Sequence, residues 1–251
     1  MLIRALILSS AFVAGVGFAA DKAPAAKDAT KPAAAKPVDK AATTPATSQT
    51  APATDAKTAP AAATAAKPAA GGTRVEMVTS AGKIVIELND EKAPVSVKNF
   101  LAYVNKKHYN GTVFHRVIKG FMIQGGGFKA AGESIEELAT DKPITNESNN
   151  GLTNMKGTIA MARTNDPNSA TAQFFINAKD NDFLNGGGAR PGYAVFGKVV
   201  EGINVLEKIE GVKTGQRKVK VKDMPGQMVP FDDVPLENVV IQSVNVLKTA
   251  S

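Results

Sequence analysis

From Thr73 onward the chain alternates short apolar and polar runs with turn residues, the pattern of half-buried strands. Val75–Thr79 and Lys83–Leu88, parted at Ala81-Gly82, predict a hairpin. The period then changes. Between Pro94 and Lys107, Val97, Phe100, Leu101 and Val104 recur at i, i+3, i+4 and i+7, one apolar helical stripe with Pro94 in its first turn. Strands follow over about 113–118, 121–125, 158–163, 173–177 and 194–200. A shorter helix fits Gly202–Glu210, with Ile203, Leu206 and Ile209 inward, Lys208 near its end and Gly211 as its stop. Val239–Leu247 closes the series as a strand. Many short strands with two well-separated helices predict a mainly β barrel. Arg217–Lys222 alternates charge and valine, as a half-exposed strand would, but Pro225, Pro230 and Pro235 follow and should break any regular element; residues 211–237 are expected to be a solvated insertion.

The N-terminal part follows neither period. Arg4, an apolar run from Ala5 to Val16 and then small residues predict a signal peptide over 1–19, cut after Ala19. The run is shorter than the ~18–20 residues of a membrane span, and retention as an uncleaved anchor is the alternative. Residues 20–72 are almost entirely Ala, Pro, Lys, Thr and Asp without an aromatic, too little apolar surface to offset ordering entropy, and predict a disordered linker. Such a linker would average ~40 Å end to end if flexible and approach ~160 Å if its prolines stiffen it. The domain proper is then 73–251.

Charge and composition narrow the chemistry. The formal net charge is +7, and residues 21–72 contribute seven lysines against four aspartates. A thinly basic tail suits a solvated spacer or an envelope contact; behind a signal peptide, nucleic acid is not an expected partner. With no cysteine there are no disulfides, thiolate metal sites or cysteine nucleophiles. Two histidines leave a His-based metal site or a Ser/His/Asp hydrolase without support, and no metal or cofactor is expected.

The run from Val113 to Gly126, VFHRVIKGFMIQGG, holds the telling side chains. As a strand through Ile118 it puts Phe114, Arg116 and Ile118 on one face and Val113, His115 and Val117 on the other. Lys119-Gly120 supplies a turn, after which Met122 and Gln124 share a face. A guanidinium among Phe and Met, with an amide beside it, recognises a carbonyl in an apolar pocket and offers no nucleophile. That suits a reaction in which one planar bond is twisted and nothing is transferred. Gly125-Gly126-Gly127 lacks the Gly-Lys-Ser/Thr of a phosphate loop and is read as backbone crowding; His115 is read as packed and His108 as ordinary.

This run resembles the signature of the cyclophilin-type peptidyl-prolyl cis–trans isomerases. Gly157-Thr158-Ile159-Ala160-Met161-Ala162-Arg163, Ala172-Gln173-Phe174-Phe175-Ile176-Asn177 and Val195-Phe196-Gly197-Lys198-Val199 follow in the family's order, covering most of 75–247. Asn146-Glu147, Asn150-Gly151-Leu152 and Gly192–Gly197 look most like the periplasmic bacterial branch. The resemblance implies an eight-stranded antiparallel closed β-barrel capped by two α-helices. A small barrel fills its own lumen, so the site belongs on the outer wall. The resemblance also implies catalytic Arg116 and Gln124, with substrate contacts from Phe121, Met122, Ala162, Arg163, Thr164, Gln173, Phe175, Phe183, Leu184 and Tyr193. Phe121 rests on the resemblance alone. The implied partners are proline-containing peptides and unfolded exported proteins, met in the periplasm by a monomer. Phe183 falls where many members carry a tryptophan that donates to cyclosporin-type ligands, so weak cyclosporin binding is expected. Tyr193 stands at a position that is histidine in many eukaryotic members, and Arg163 replaces an asparagine. The competing reading is a binding module that holds a proline-containing partner without turnover.

Overall fold

The computed structural model describes residues 72–187 and 190–247; the expected signal peptide over 1–19 and nearly all of the linker over 20–72 lie outside the described residues. The first hairpin forms where the alternation places it: β1 (Arg74–Thr79) pairs antiparallel with β2 (Gly82–Leu88). Thr79 ties the turn, its hydroxyl accepting from the Ala81 and Gly82 amides and donating to the Gly82 carbonyl. The helix α1 (Pro94–Asn105) buries Val97, Phe100, Tyr103 and Val104 and has no side-chain cap of its own. Glu147 supplies one from a distant loop, accepting from the Val95 and Ser96 amides at 2.9 and 2.7 Å and setting a carboxylate at the positive end of the helix dipole.

The remaining elements are β3 (Thr112–Val113), β4 (Arg116–Ile118), β5 (Met122–Gly125), β6 (Phe128–Ala131), β7 (Ser134–Glu137), β8 (Thr158–Met161), β9 (Phe174–Asn177), β10 (Val195–Glu201), α2 (Ile203–Glu210), β11 (Thr214–Lys220), β12 (Met228–Pro235) and β13 (Val240–Leu247). The thirteen strands of the described residues join in one sheet, in the order β12-β11-β7-β6-β3-β13-β1-β2-β10-β8-β9-β5-β4. Every pairing is antiparallel except β11 on β7. The end strands β12 and β4 lie against each other, so the sheet curls into a nearly closed barrel with two α-helices. The expected eight-stranded, wholly antiparallel barrel is corrected to thirteen strands with one parallel pair. The first expected site strand splits into β3 and β4, the β6–β7 hairpin does not follow from the periodicity, and the alternation over 217–222 lies largely in β11 while β12 is missed.

The interior is a ring cluster. Phe100 stacks on Tyr109 at 5.0 Å and meets Phe174 and Phe196 at 5.8 and 5.3 Å. Ile84, Ile86, Ile123, Ile159 and Ile176 pack around it with Val205, Leu206 and Ile209 of α2. Ile203, expected inward, is instead 42% exposed, because α2 begins at Ile203 and its buried stripe runs through Val205, Leu206 and Ile209. A second, smaller cluster joins Val113, Phe128, Ile135, Val219 and Val234 under the two late hairpins.

Residues 211–237 are therefore not a solvated insertion. Val219 and Val234 are buried, and Pro230 and Pro235 sit within β12, opposite Lys218 and Thr214. Proline is tolerated there because β12 is an end strand of the sheet, with one side free of ladder pairing. Pro225 lies in the turn between β11 and β12.

Candidate active site

Four neighbouring strands carry the site. Arg116 of β4 pairs with Gln124 of β5, Gln124 with Phe175 of β9, and Phe175 with Ala160 of β8. Period-two alternation sends Ile123, Phe174 and Ile176 into the ring cluster and leaves Met122, Gln124 and Phe175 on the other side of the wall, as expected for Met122 and Gln124. The first strand departs from the expectation. Phe114 and Val117 both belong to the ring cluster, so Phe114 does not share the face of Arg116 and Ile118. The chain hands over from one neighbour to another there: the Phe114 amide donates to the Val239 carbonyl, and the His115 amide donates to Gln124. That irregularity shifts the parity between Phe114 and Arg116.

Arg116 stands on the wall with its side chain 16% exposed. Burial lowers its pKa, and the charges of Asp233, Tyr193 and Asp232 oppose that shift. Gln124 is buried; its Nε2 donates to Gln173 Oε1 at 2.8 Å, while its own Oε1 has no hydrogen-bond partner among the described residues.

Beside Gln124, Met122, Phe175 and Leu184 are buried, and Tyr193 meets the Phe175 ring edge-on at 5.6 Å. Phe121 stacks on Phe183 at 5.5 Å, and Phe183 stands 54% exposed on a 3-10 turn over Asp182–Leu184. Ala162, Arg163, Thr164 and Gln173 fall elsewhere. They line a cleft of about 370 Å³ whose far wall is Phe128, Val229 and Phe231. The expected contact residues thus divide into an apolar cluster around Met122, Phe175 and Leu184 and a separate cleft, linked by the Gln124–Gln173 hydrogen bond. The Arg163 side chain is committed: its guanidinium donates to the carbonyls of Pro191, Gly192 and Thr164 and lies 4.4 Å over the Tyr193 ring.

Buried asparagines, which the sequence reading passed over, hold this rim. Asn181 Nδ2 donates to the Phe121 carbonyl at 2.9 Å and to Asn177 Oδ1 at 2.8 Å. Asn177 Nδ2 donates to Asn154 Oδ1 at 3.2 Å, and Asn154 Nδ2 donates to Asn185 Oδ1 at 3.0 Å and to the Tyr193 carbonyl at 3.3 Å. Amides without solvent access are costly unless paired, so the chain of bonds fixes Phe121, the 3-10 turn and Tyr193 relative to one another. Asn177 closes the strand-like run over 173–177, while Asn154 and Asn181 lie in loops on either side of the site strands. Asp233, also missed, lies beside Arg116 with its Oδ2 3.9 Å from Nε.

The glycine run crowds its neighbours, as read. A Cβ on Gly127 would lie 2.5 Å from Gln173 Cγ, and one on Gly126, at φ +86°, would meet the Phe174 and Tyr109 rings at 2.9 Å.

Neither histidine is placed for proton transfer. His108 is bonded to the Gly126 carbonyl at 3.1 Å and edges the Tyr109 ring. His115 is 3% exposed and packs 4.5 Å from Phe128. Burial pushes its pKa down to about 3, with the Val113 backbone opposing and the Arg116 charge adding to the fall. The unfolded chain takes up this proton near pH 6.5 and the folded one only near 3, so the ring costs stability progressively as pH falls through that window. The loss should reach about 2 kcal/mol by pH 5. An NMR titration should find the His115 ring still neutral at pH 5; a midpoint near its ordinary value contradicts the burial account. Among the described residues no group of His, Asp and Glu side chains is arranged to hold a metal.

The family model "Cyclophilin type peptidyl-prolyl cis-trans isomerase/CLD" matches residues 74–246. The chain is 54% identical over 176 residues to peptidyl-prolyl cis-trans isomerase cyp18 of Streptomyces antibioticus, covering 69% of this chain and 98% of that protein. It is 51% identical over 176 residues to peptidyl-prolyl cis-trans isomerase A of Dickeya dadantii, covering 70% and 85%. A crystal structure of a cyclophilin type isomerase of Cryptosporidium parvum, determined in the presence of the dipeptide Ala-Pro, superimposes with a TM-score of 0.55 at 26% identity, covering 70% of this chain and 99% of that one. The matched span and the identities agree: the chain belongs to the cyclophilin-type peptidyl-prolyl cis-trans isomerases and is an enzyme of that activity.

Proposed function

We propose that this isomerase speeds X-Pro exchange in exported proteins as they fold, with Arg116 as the catalytic donor. Rotation about the prolyl amide meets a barrier of ~18–20 kcal/mol from resonance and takes ~10–100 s uncatalysed. The pairing of Arg116 with Gln124 and of Gln124 with Phe175 carries this reading, because it sets a cation and an amide beside a buried aromatic floor. The proline ring, which has no N–H to satisfy, enters the hollow of Phe121, Met122, Phe175, Leu184 and Tyr193. Gln124 Oε1 accepts a backbone N–H of the bound peptide, and Ala162, Arg163, Thr164 and Gln173 receive the flanking residues along the cleft. The Arg116 N–H groups hold the substrate carbonyl and donate toward the prolyl nitrogen as its lone pair localises. That bond is stronger in the twisted state than in either planar one, which is the condition for acceleration.

Exchange in milliseconds requires ~10⁴–10⁵-fold, or ~5.5–7 kcal/mol. One charged hydrogen bond contributes ~1.5–3 kcal/mol. Desolvation and orientation by Gln124 and the 162–164 backbone supply the remainder.

The signal-like segment over 1–19 supports a periplasmic location, and the lysines of 20–72 suit an envelope contact or a plain spacer ahead of a monomeric domain over 73–251. The test is refolding of an exported protein whose slow phase is proline-limited: the full chain should shorten that phase, and an unchanged phase contradicts the folding role. Cyclosporin should inhibit weakly, since Phe183 offers no indole N–H. An inhibition titration checks this, with tight inhibition as the contrary result.

A further inference from the structure

The β11–β12 hairpin brings a carboxylate to Arg116 through a bulge. Gly215 pairs with Val234 and Arg217 with Phe231, so Asp232 and Asp233 together face Gln216. Two residues against one re-aim a side chain and are over-represented next to active sites. Gln216 Nε2 donates to Asp232 Oδ1 at 3.0 Å, which occupies the first of the two aspartates. Asp233 adopts φ +60°, a left-handed conformation that aspartate tolerates better than most residues. Its Oδ2 lies 3.9 Å from Arg116 Nε.

The frame behind it is firm. Arg217 donates to the Pro235 carbonyl at 3.0 Å, to Asn238 Oδ1 at 2.7 Å and to the Glu133 carbonyl at 2.8 Å. Val234, the next residue along, is buried. The carboxylate is therefore aimed by an anchored strand at the seam where β12 meets β4.

We propose that Asp233 is a positioning residue for the isomerisation: across an ion pair of 3.9 Å, longer than a hydrogen bond, its charge draws the Nε edge of Arg116 and so biases the guanidinium's Nη groups toward the prolyl amide. A guanidinium is a planar fork, so drawing one edge toward a charge turns the others with it. The carboxylate touches no reacting atom. Its effect falls on turnover and leaves the apolar residues that take the proline unaltered.

This inference rests on the reading of Arg116 as the donor, and the test separates the two. Prolyl exchange and thermal unfolding would be measured on the full chain as wild type, Arg116→Ala, Asp233→Asn and Asp233→Gly. Asp233→Asn should lower kcat by about 2–5-fold, the scale of a half-exposed ion pair, with KM little changed. Asp233→Gly adopts the left-handed conformation without strain, so it should show the same loss of kcat with an equal or higher Tm. The Arg116 ¹⁵Nε resonance should move in both. If Arg116→Ala collapses while both Asp233 variants keep full kcat, or if Asp233→Gly alone is fully active, the positioning role is overturned. If Arg116→Ala keeps full turnover, the reading of the site fails first and this inference falls with it.

Discussion

Replacing Arg116 by alanine is expected to lower kcat/KM for an Ala-Pro peptide by at least about 10²-fold, the scale of losing one preorganised donor. The side chain stands on the outer wall at 16% exposure, outside the ring cluster that fills the barrel. Its removal leaves Asp233, 41% exposed, to be solvated, so the fold should survive. Arg116→Lys should also be impaired, because an ammonium on a flexible stem cannot hold the carbonyl and face the prolyl nitrogen through one planar group. Circular dichroism superimposable on wild type, together with the loss of rate, is the expected pair of results.

Phe100→Ala should do the reverse. Phe100 has no solvent exposure and touches the Tyr109, Phe174 and Phe196 rings within 6 Å, at 5.0, 5.8 and 5.3 Å. Truncating such a ring loses its transfer free energy and leaves a cavity that rigid neighbours cannot close, at a cost of about 3–5 kcal/mol. In a domain of this size each kcal/mol moves Tm by roughly 2–4 °C, so a fall of roughly 6–20 °C is expected in a thermal scan. Below that transition the turnover per folded molecule should match wild type, because Phe100 faces the interior, away from the Arg116 wall. A variant with unchanged Tm would place Phe100 outside the core; one with normal Tm and lost activity would place it in the site.

These two residues also mark what the sequence made legible. Phe100 follows from helical period, since Val97, Phe100 and Val104 fall on one stripe and all three are buried. Arg116 and Gln124 follow from strand alternation over β4 and β5, where the pairing is regular. Phe114 was misplaced because alternation was carried across a handover between two neighbouring strands, and parity does not survive such a break. The β12 strand was hidden by Pro230 and Pro235, which argue against a strand only where both sides are paired. Whether a strand is an end strand depends on the whole sheet, which local sequence does not encode. Asp233 escaped for the same reason: a carboxylate 117 positions from Arg116 reaches it only through the seam and the bulge. The asparagines at 154, 177 and 181 look like turn residues locally, and their burial is a tertiary property.

The most direct test is prolyl cis–trans exchange in a short Ala-Pro-Phe peptide, measured by NMR with the full chain and with Arg116→Ala. Fast exchange in the wild type that falls at least about 10²-fold in a folded variant is the predicted result. Near-normal exchange in the variant would contradict an arginine-assisted twist, and binding of the peptide without acceleration by the wild type would leave a proline-binding module in its place.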